Sequence, residues 1–240
     1  TIWSRENDMR AGHYRPAVAS RVRLALDHAF MPTGIRHDTA GPSLLRHSGV
    51  TSVPPHKGFD WSYIMGWVDM AYAIPAKDTR WTEVEAGIPC GYWRSVGNSQ
   101  NCFFLEHTLD QAARLAGIEP IAYRRRLLAG HPRALAFLDA FTQAAGWSSP
   151  LAPGHFRGFG MNSNGKTMFS AHIVEIEVVR PGEFRLVRID AAIECRVVGN
   201  PGEWIGLDNF RYLRTNPGFT ASIRNTIVLV LATDILKLSI

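Results

Sequence analysis

The sequence predicts a mixed α+β fold on three observations. Residues 98–146 carry a helical period, residues 168–193 switch to a period of two, and residues 1–90 are punctuated too often by turn residues for long helices. The chain has 240 residues, 46% hydrophobic and 20% charged, the make-up of one large globular domain or two small ones. A disordered chain, a collagen-like fibre and a small disulfide scaffold are thereby excluded. The longest apolar run, Ile227–Ala232, falls far short of the ~18 residues of a membrane helix.

The opening TIWSREND reads as a strand followed by a polar turn. Val22, Leu24 and Leu26 alternate with Arg21, Arg23 and Ala25, which fits a half-buried strand or an amphipathic helix. Pro32-Thr33-Gly34 reads as a turn, and Pro42, Gly49, Pro54, Pro55 and Gly58 make residues 38–60 a loop. Asn98 or Ser99 can cap a first helix, whose face is Leu105, Leu109, Ala112 and Ala116. Glu106 and Asp110 lie off that face, and Gly117 is a suitable stop. Pro120 and Pro132 sit where first-turn prolines belong, opening helices over about 120–128 and 132–145.

Residues 147–158 are rich in Pro, Gly and Ser and read as a linker. Beyond them Val174, Ile176 and Val178 alternate with Glu175 and Glu177, Pro181-Gly182 supplies a turn, and 168–193 is a β-hairpin. The tail has no clear amphipathic period and fits a buried strand or a short buried helix.

Charge and cysteine usage narrow the function classes. The net charge is +5, but 22 arginines stand against four lysines, and they are scattered; Arg124-Arg125-Arg126 is the only run. No nucleic-acid surface is expected from that distribution. Cys90, Cys102 and Cys195 are odd in number and widely spaced, which reads as reduced thiols. The nine histidines show no metal spacing, and no nucleophile elbow occurs. Asp69, Glu83, Glu85 and Glu106 read as isolated carboxylates on solvated faces. Gly160 to Thr167 matches the phosphate-loop pattern G-x-x-x-x-G-K-[ST]. The lead-in GHFRGF is not a buried strand, however, and MFSAHIVEIEVV behind it has strand period, so no helix dipole would face a phosphate.

The segment Gly91-Tyr92-Trp93-Arg94-Ser95-Val96-Gly97-Asn98-Ser99-Gln100-Asn101 places an arginine on a tight turn before a helix. Free amides at that helix start, with the Arg94 guanidinium, suit an anion or an oxo group. An ordinary loop whose arginine pairs with a surface carboxylate is the competing reading.

GIPCGYWRSVGNSQNCFFLEHTLDQAARLAGIEPIAYRRRLL resembles the molybdopterin-binding large subunits of the xanthine dehydrogenase and aldehyde oxidase family, nearest the isoquinoline 1-oxidoreductase beta-subunit branch. TIWSRENDMRAGHYRPA, YAIP, HPRALAFLD and AAIECRVVGNP carry the likeness over about residues 1–201. The resemblance implies a partial molybdenum-cofactor-binding domain. Residues 1–146 would belong to one part, 159–201 to the hairpin of the next subdomain, and 202–240 would be a tail of unclear origin. It favours pairing Arg21–Asp27 as a strand.

The cofactor so implied is molybdopterin cytosine dinucleotide with molybdenum, held by pterin sulfurs rather than by side chains. Arg94, Ser95, Gly97 and Gln100 would contact it, and Val96 would line the substrate pocket. The implied reaction is hydroxylation of an N-heteroaromatic or an aldehyde with water as oxygen source. A small iron–sulfur subunit would be the partner, in a bacterial cytoplasm or periplasm. The family's G-G-G-F-G stretch is expected upstream of Thr1. GEWIGLDNFRYLRTN stands where Q-x-E-G is expected, and the motif carrying the base glutamate does not occur. The alternative is thus a non-catalytic truncated or frame-shifted remnant.

Overall fold

Ser4 decides how the chain begins. Its extended backbone and an Oγ that accepts from the Asn7 amide (3.3 Å) cap α1, Arg5–Ala11. Glu6 and Asp8 in the first turn and Arg10 in the last suit the helix dipole. The polar half of TIWSREND is therefore helical, not the turn expected of it. The computed structural model describes residues 3–47, 59–85, 87–164 and 168–195. The expectations for residues 202–240 lie outside them.

β1, Ala19–Leu26, alternates exposed and half-buried residues and settles the open alternative as a strand. It pairs antiparallel with β2, Pro32–Gly41, which pairs in parallel with β3, Ala76–Glu83. β2 corrects two expectations, since residues 32–34 are strand rather than turn and 38–41 strand rather than loop. Its buried face is Ile35, His37 and Thr39, only one of them apolar, so its period is hidden from a hydrophobic pattern. His37 is fully buried, 2.5 Å by Nε2 from the Ser20 hydroxyl and packed on the Trp67 ring (4.2 Å between centroids). Its Nδ1 meets no partner among the described residues, and burial pushes its pKa down to about 4, so the ring is neutral.

Between β2 and β3 lie α2, Leu44–His47, and a 3-10 turn, Trp61–Ile64. Buried Asp60 ties them together. One carboxylate oxygen accepts from the Ser43 hydroxyl (2.9 Å) and the Leu45 amide (3.1 Å), the other from the Ser62 amide (2.9 Å) and hydroxyl (2.5 Å). Glu83 and Glu85 are not isolated; they pair with Arg46 and His47.

The helices follow the sequence reading closely: α3, Asn98–Ala116, α4, Pro120–Leu127, and α5, Pro132–Ala144. Gly117 ends α3 in the left-handed region (φ 64°), and both prolines stand in first turns. Leu105, Leu109 and Ala112 are buried as expected. Glu106 is the exception. It is buried too, because Arg124 of α4 comes to it: Nε donates to Oε2 (2.9 Å) and Nη2 to the Glu106 carbonyl (3.1 Å), while Nη1 reaches Asp110 (2.7 Å) and the Pro120 carbonyl (3.2 Å). Tyr72 donates to Glu106 Oε1 (2.8 Å). Burial pushes the Glu106 carboxyl above its ordinary value, against the pull of Arg124.

The second sheet is antiparallel, in the order β4, His155–Asn164, β5, Met168–Arg180, and β6, Glu183–Cys195. The expected hairpin is β5–β6. β4 begins inside the stretch read as linker, and GHFRGF is strand from His155 onward, although of these residues only Phe159 is buried. Its buried Phe159, Met161 and Ser163 face the same side as Phe169, Ala171 and Ile173 of β5 and join the core under the helices. The phosphate-loop pattern thus runs from one strand toward another, with no helix start behind it; residues 165–167 lie outside the described residues. The opposite face leaves Phe156, Leu186 and Ile189 exposed.

Among the described residues no helix is long and apolar enough to cross a membrane, and Cys90 and Cys102 are free.

Removing Arg124 strands the buried Glu106 charge. Arg124→Ala is expected to cost about 3–5 kcal/mol in urea unfolding, and an Arg124→Leu/Glu106→Leu double variant distinctly less. His37 gives a second expectation. The unfolded chain takes up a proton near pH 6.5 that the native ring refuses until about 4. Its contribution is complete above pH 6.5 and falls away toward pH 4, by roughly 2–3 kcal/mol in all. His37→Gln should flatten the stability–pH curve in that window, as read by denaturant titrations at stepped pH.

Candidate functional site

Two segments far apart in sequence are laid side by side to build the site. The Tyr14 amide donates to the Pro89 carbonyl (2.9 Å), the Gly91 amide to the Tyr14 carbonyl (3.1 Å), and Trp93 Nε1 to the His13 carbonyl (2.8 Å). Gly91 permits the approach, since a Cβ there would lie 2.8 Å from the His13 Cβ.

The chain then turns through residues 94–97 into α3. The Val96 amide donates to the Trp93 carbonyl and the Asn98 amide to the Ser95 carbonyl, both at 2.9 Å. Ser95 (φ 73°) and Val96 (φ 47°) are left-handed. Such backbone costs about 1–3 kcal/mol per residue, and for a β-branched side chain it is a true outlier.

Gly97 is required by contact rather than by conformation: its φ is −69°, but a Cβ would fall 1.9 Å from the Ser62 carbonyl oxygen. Gly97 is also the N-cap, so neither Asn98 nor Ser99 caps α3 as expected. Asn98 and Asn101 turn inward instead. Asn98 Oδ1 accepts from Asn162 (3.4 Å), and Asn101 Nδ2 donates to the Tyr63 and Met65 carbonyls (2.9 Å each).

Arg94, Ser95, Val96 and Gly97 form the turn, and Gln100 lies in the first turn of α3. The Arg94 guanidinium is exposed and has no partner among the described residues, so the competing reading of a surface ion pair is not what the structure shows. The amides of Arg94, Ser95 and Gly97 donate to nothing among the described residues. Ser95 Oγ donates to the Arg94 carbonyl (2.5 Å) and also meets Ser99 Oγ. Val96 and Gln100 are half-buried.

One participant escaped the sequence reading. Arg15 donates to the Arg94 carbonyl (3.1 Å), the Val96 carbonyl (3.2 Å) and Ser99 Oγ (3.2 Å), and its guanidinium lies 5.9 Å from the Trp93 ring centre. Nothing in local spacing announces a contact made 79 to 84 residues away.

Unused amides, a helix start and an unpaired guanidinium converge on one exposed turn, a donor set that favours oxygen anions. Among the described residues no group of three His, Cys, Asp or Glu could hold a metal. The donor set fits a group whose metal arrives already ligated and shows oxo oxygens to the protein.

Comparison with known proteins gives the class to which this mixed α+β fold belongs. A family model described as "Molybdopterin cofactor-binding domain" matches residues 1–128, and the chain belongs to that family. It is 28% identical over 148 residues to the isoquinoline 1-oxidoreductase subunit beta of Brevundimonas diminuta, covering 61% of this chain and 19% of that protein. The chain thus spans about a fifth of the curated relative's length. Among solved structures it is similar to the aldehyde oxidoreductase of Desulfovibrio gigas, with a TM-score of 0.45 and 18% identity, covering 72% of this chain and 21% of that one. The aldehyde oxidoreductase of Desulfovibrio desulfuricans gives 0.42 and 15%, covering 66% and 18%.

Alanine is conformationally allowed at Gly97, so Gly97→Ala isolates the steric term. The Ser62 carbonyl must move, and the expected loss is about 1–3 kcal/mol, or somewhat more. Thermal melts measure it, and faster amide exchange confined to residues 61–64 and the start of α3 would locate it.

Proposed function

We propose that this chain supplies the protein wall facing the metal's oxygen ligands in a molybdenum hydroxylase, with the cofactor as molybdopterin cytosine dinucleotide. The carrying observation is the exposed Arg94 guanidinium, unpaired among the described residues, on a left-handed turn at the start of α3, within the stretch matched by the family. When bound, the cofactor would supply the oxygen transfer and the two-electron redox step.

The placement of the chain's own residues supports a role for each. Arg94 and the amides of the turn donate to oxygen where negative charge builds up, and being already fixed they need no reorganisation. Gly97 keeps the turn close against the 3-10 segment, and Gln100 borders it on the helix. Val96, half-buried beside Arg94, offers an apolar wall to a flat substrate, an N-heteroaromatic or an aldehyde. Residues 1–146 and 159–201 would serve neighbouring parts of the cofactor-binding region, and electrons would leave to a small iron–sulfur subunit. The chain's contribution is binding and orientation; none of its residues is assigned the role of base.

The test places Arg94→Ala in a complete, cofactor-loaded large subunit built around this chain. Turnover of an N-heteroaromatic or aldehyde substrate should fall at least about tenfold, with the melting midpoint unchanged. Near-normal turnover rejects the assignment.

A further inference from the structure

Arg15 lies outside every residue assigned above, and it is exposed. An exposed arginine is well satisfied by water, yet this one spends its donors on a single strained turn. Nη2 reaches the Arg94 carbonyl, and Nη1 is shared by the Val96 carbonyl and Ser99 Oγ. None of the described carboxylates pairs with it.

The two carbonyls it holds flank the left-handed residues Ser95 and Val96. In a trans peptide the carbonyl and the following amide point in opposite directions. A fork that draws the Arg94 and Val96 carbonyls toward itself therefore turns the Ser95 and Gly97 amides away from itself. Those two amides donate to nothing among the described residues. They are alternate rather than successive, since the Val96 amide between them donates to the Trp93 carbonyl, and two such free amides at a helix start are donors open to an anion.

We propose that Arg15 is a positioning residue. By holding two carbonyls of the turn it aims the Ser95 and Gly97 amides, and with them the Arg94 side chain, at an oxygen anion. This rests on the reading of the turn as the surface facing the metal's oxygens. The Tyr14–Gly91 and Trp93–His13 bonds fix the backbone just ahead of Arg15, and its guanidinium lies 5.9 Å from the Trp93 ring centre. Lysine would not replace it, since one ammonium lacks the planar fork that spans both carbonyls.

Amide-resolved NMR of the full chain, titrated with molybdate as a tetrahedral oxyanion probe, tests this. In the unaltered chain, millimolar molybdate is expected to shift the Ser95 and Gly97 amides saturably. In Arg15→Ala and Arg15→Lys the apparent affinity should fall at least tenfold, and amide exchange at residues 94–97 should quicken. The melting midpoint and the exchange of α4 and α5 should hold. Unchanged molybdate affinity in Arg15→Ala overturns the positioning role while leaving the turn as an oxyanion site. Full recovery in Arg15→Lys also overturns it, because charge alone would then suffice. If the unaltered chain shows no shift at these amides, the reading of the turn fails, and the role of Arg15 falls with it. Should the alanine variant not fold, Arg15→Lys and Arg15→Gln carry the same comparison.

Discussion

The structure depends on one buried arginine. Arg124 is fully buried, and all three of its side-chain nitrogens are engaged, by Glu106, Asp110 and the Pro120 carbonyl. Its guanidinium also lies 5.2 Å from the Phe159 ring centre. A single side chain thus joins α3, α4 and β4, and through Glu106 the Tyr72 segment that leads to β3. Such a cluster need not add net stability over an apolar equivalent, but it tolerates no missing member. It fixes how the helices meet the second sheet.

That fixation matters at the other end of α3. Glu106 and Asp110 anchor the middle of the helix, while Asn98 and Asn101 lock its first turn to residues 63–66 and to β4. With the helix held from inside, its N-terminus needs no side-chain cap, and the amides ahead of it stay unused. Three arginines then divide the electrostatic work by environment. Arg124 is dry and completely satisfied. Arg15 is wet and bonded to backbone carbonyls. Arg94 is wet and unpaired among the described residues. Identical chemistry produces a structural joint, a brace and an exposed charge, according to what surrounds it.

The sequence disclosed the parts whose logic is local. Prolines in first turns, Gly117 and the Leu105–Leu109–Ala112 face outline α3 to α5, and alternation outlines β5 and β6. It concealed β2, because two of that strand's three named buried positions are His37 and Thr39, which count as polar until Ser20 and Trp67 are known to cover the histidine. It misplaced Glu106 for the same reason: a carboxylate off the apolar stripe looks solvated unless an arginine from the next helix is known to meet it. Ser4 was legible in principle as a cap, and the hydrophobic Ile2 and Trp3 before it suggested a strand instead. At the site, Arg94 through Gly97 stood out by composition and by resemblance. Their left-handed backbone and the approach of Arg15 did not, since both follow from contacts between residues about 80 positions apart.

The same separation bears on the order in which the molecule acquires its shape. The three helices close through contacts between sequence neighbours, which form quickly because little chain must be gathered. The meeting of residues 13–15 with residues 89–96 closes a far longer loop and gains only a few hydrogen bonds for doing so. The helices can therefore form while the turn ahead of α3 is still free to sample ordinary right-handed backbone. The left-handed geometry of the turn is then a late acquisition, completed only when residues 13–15 meet residues 89–96.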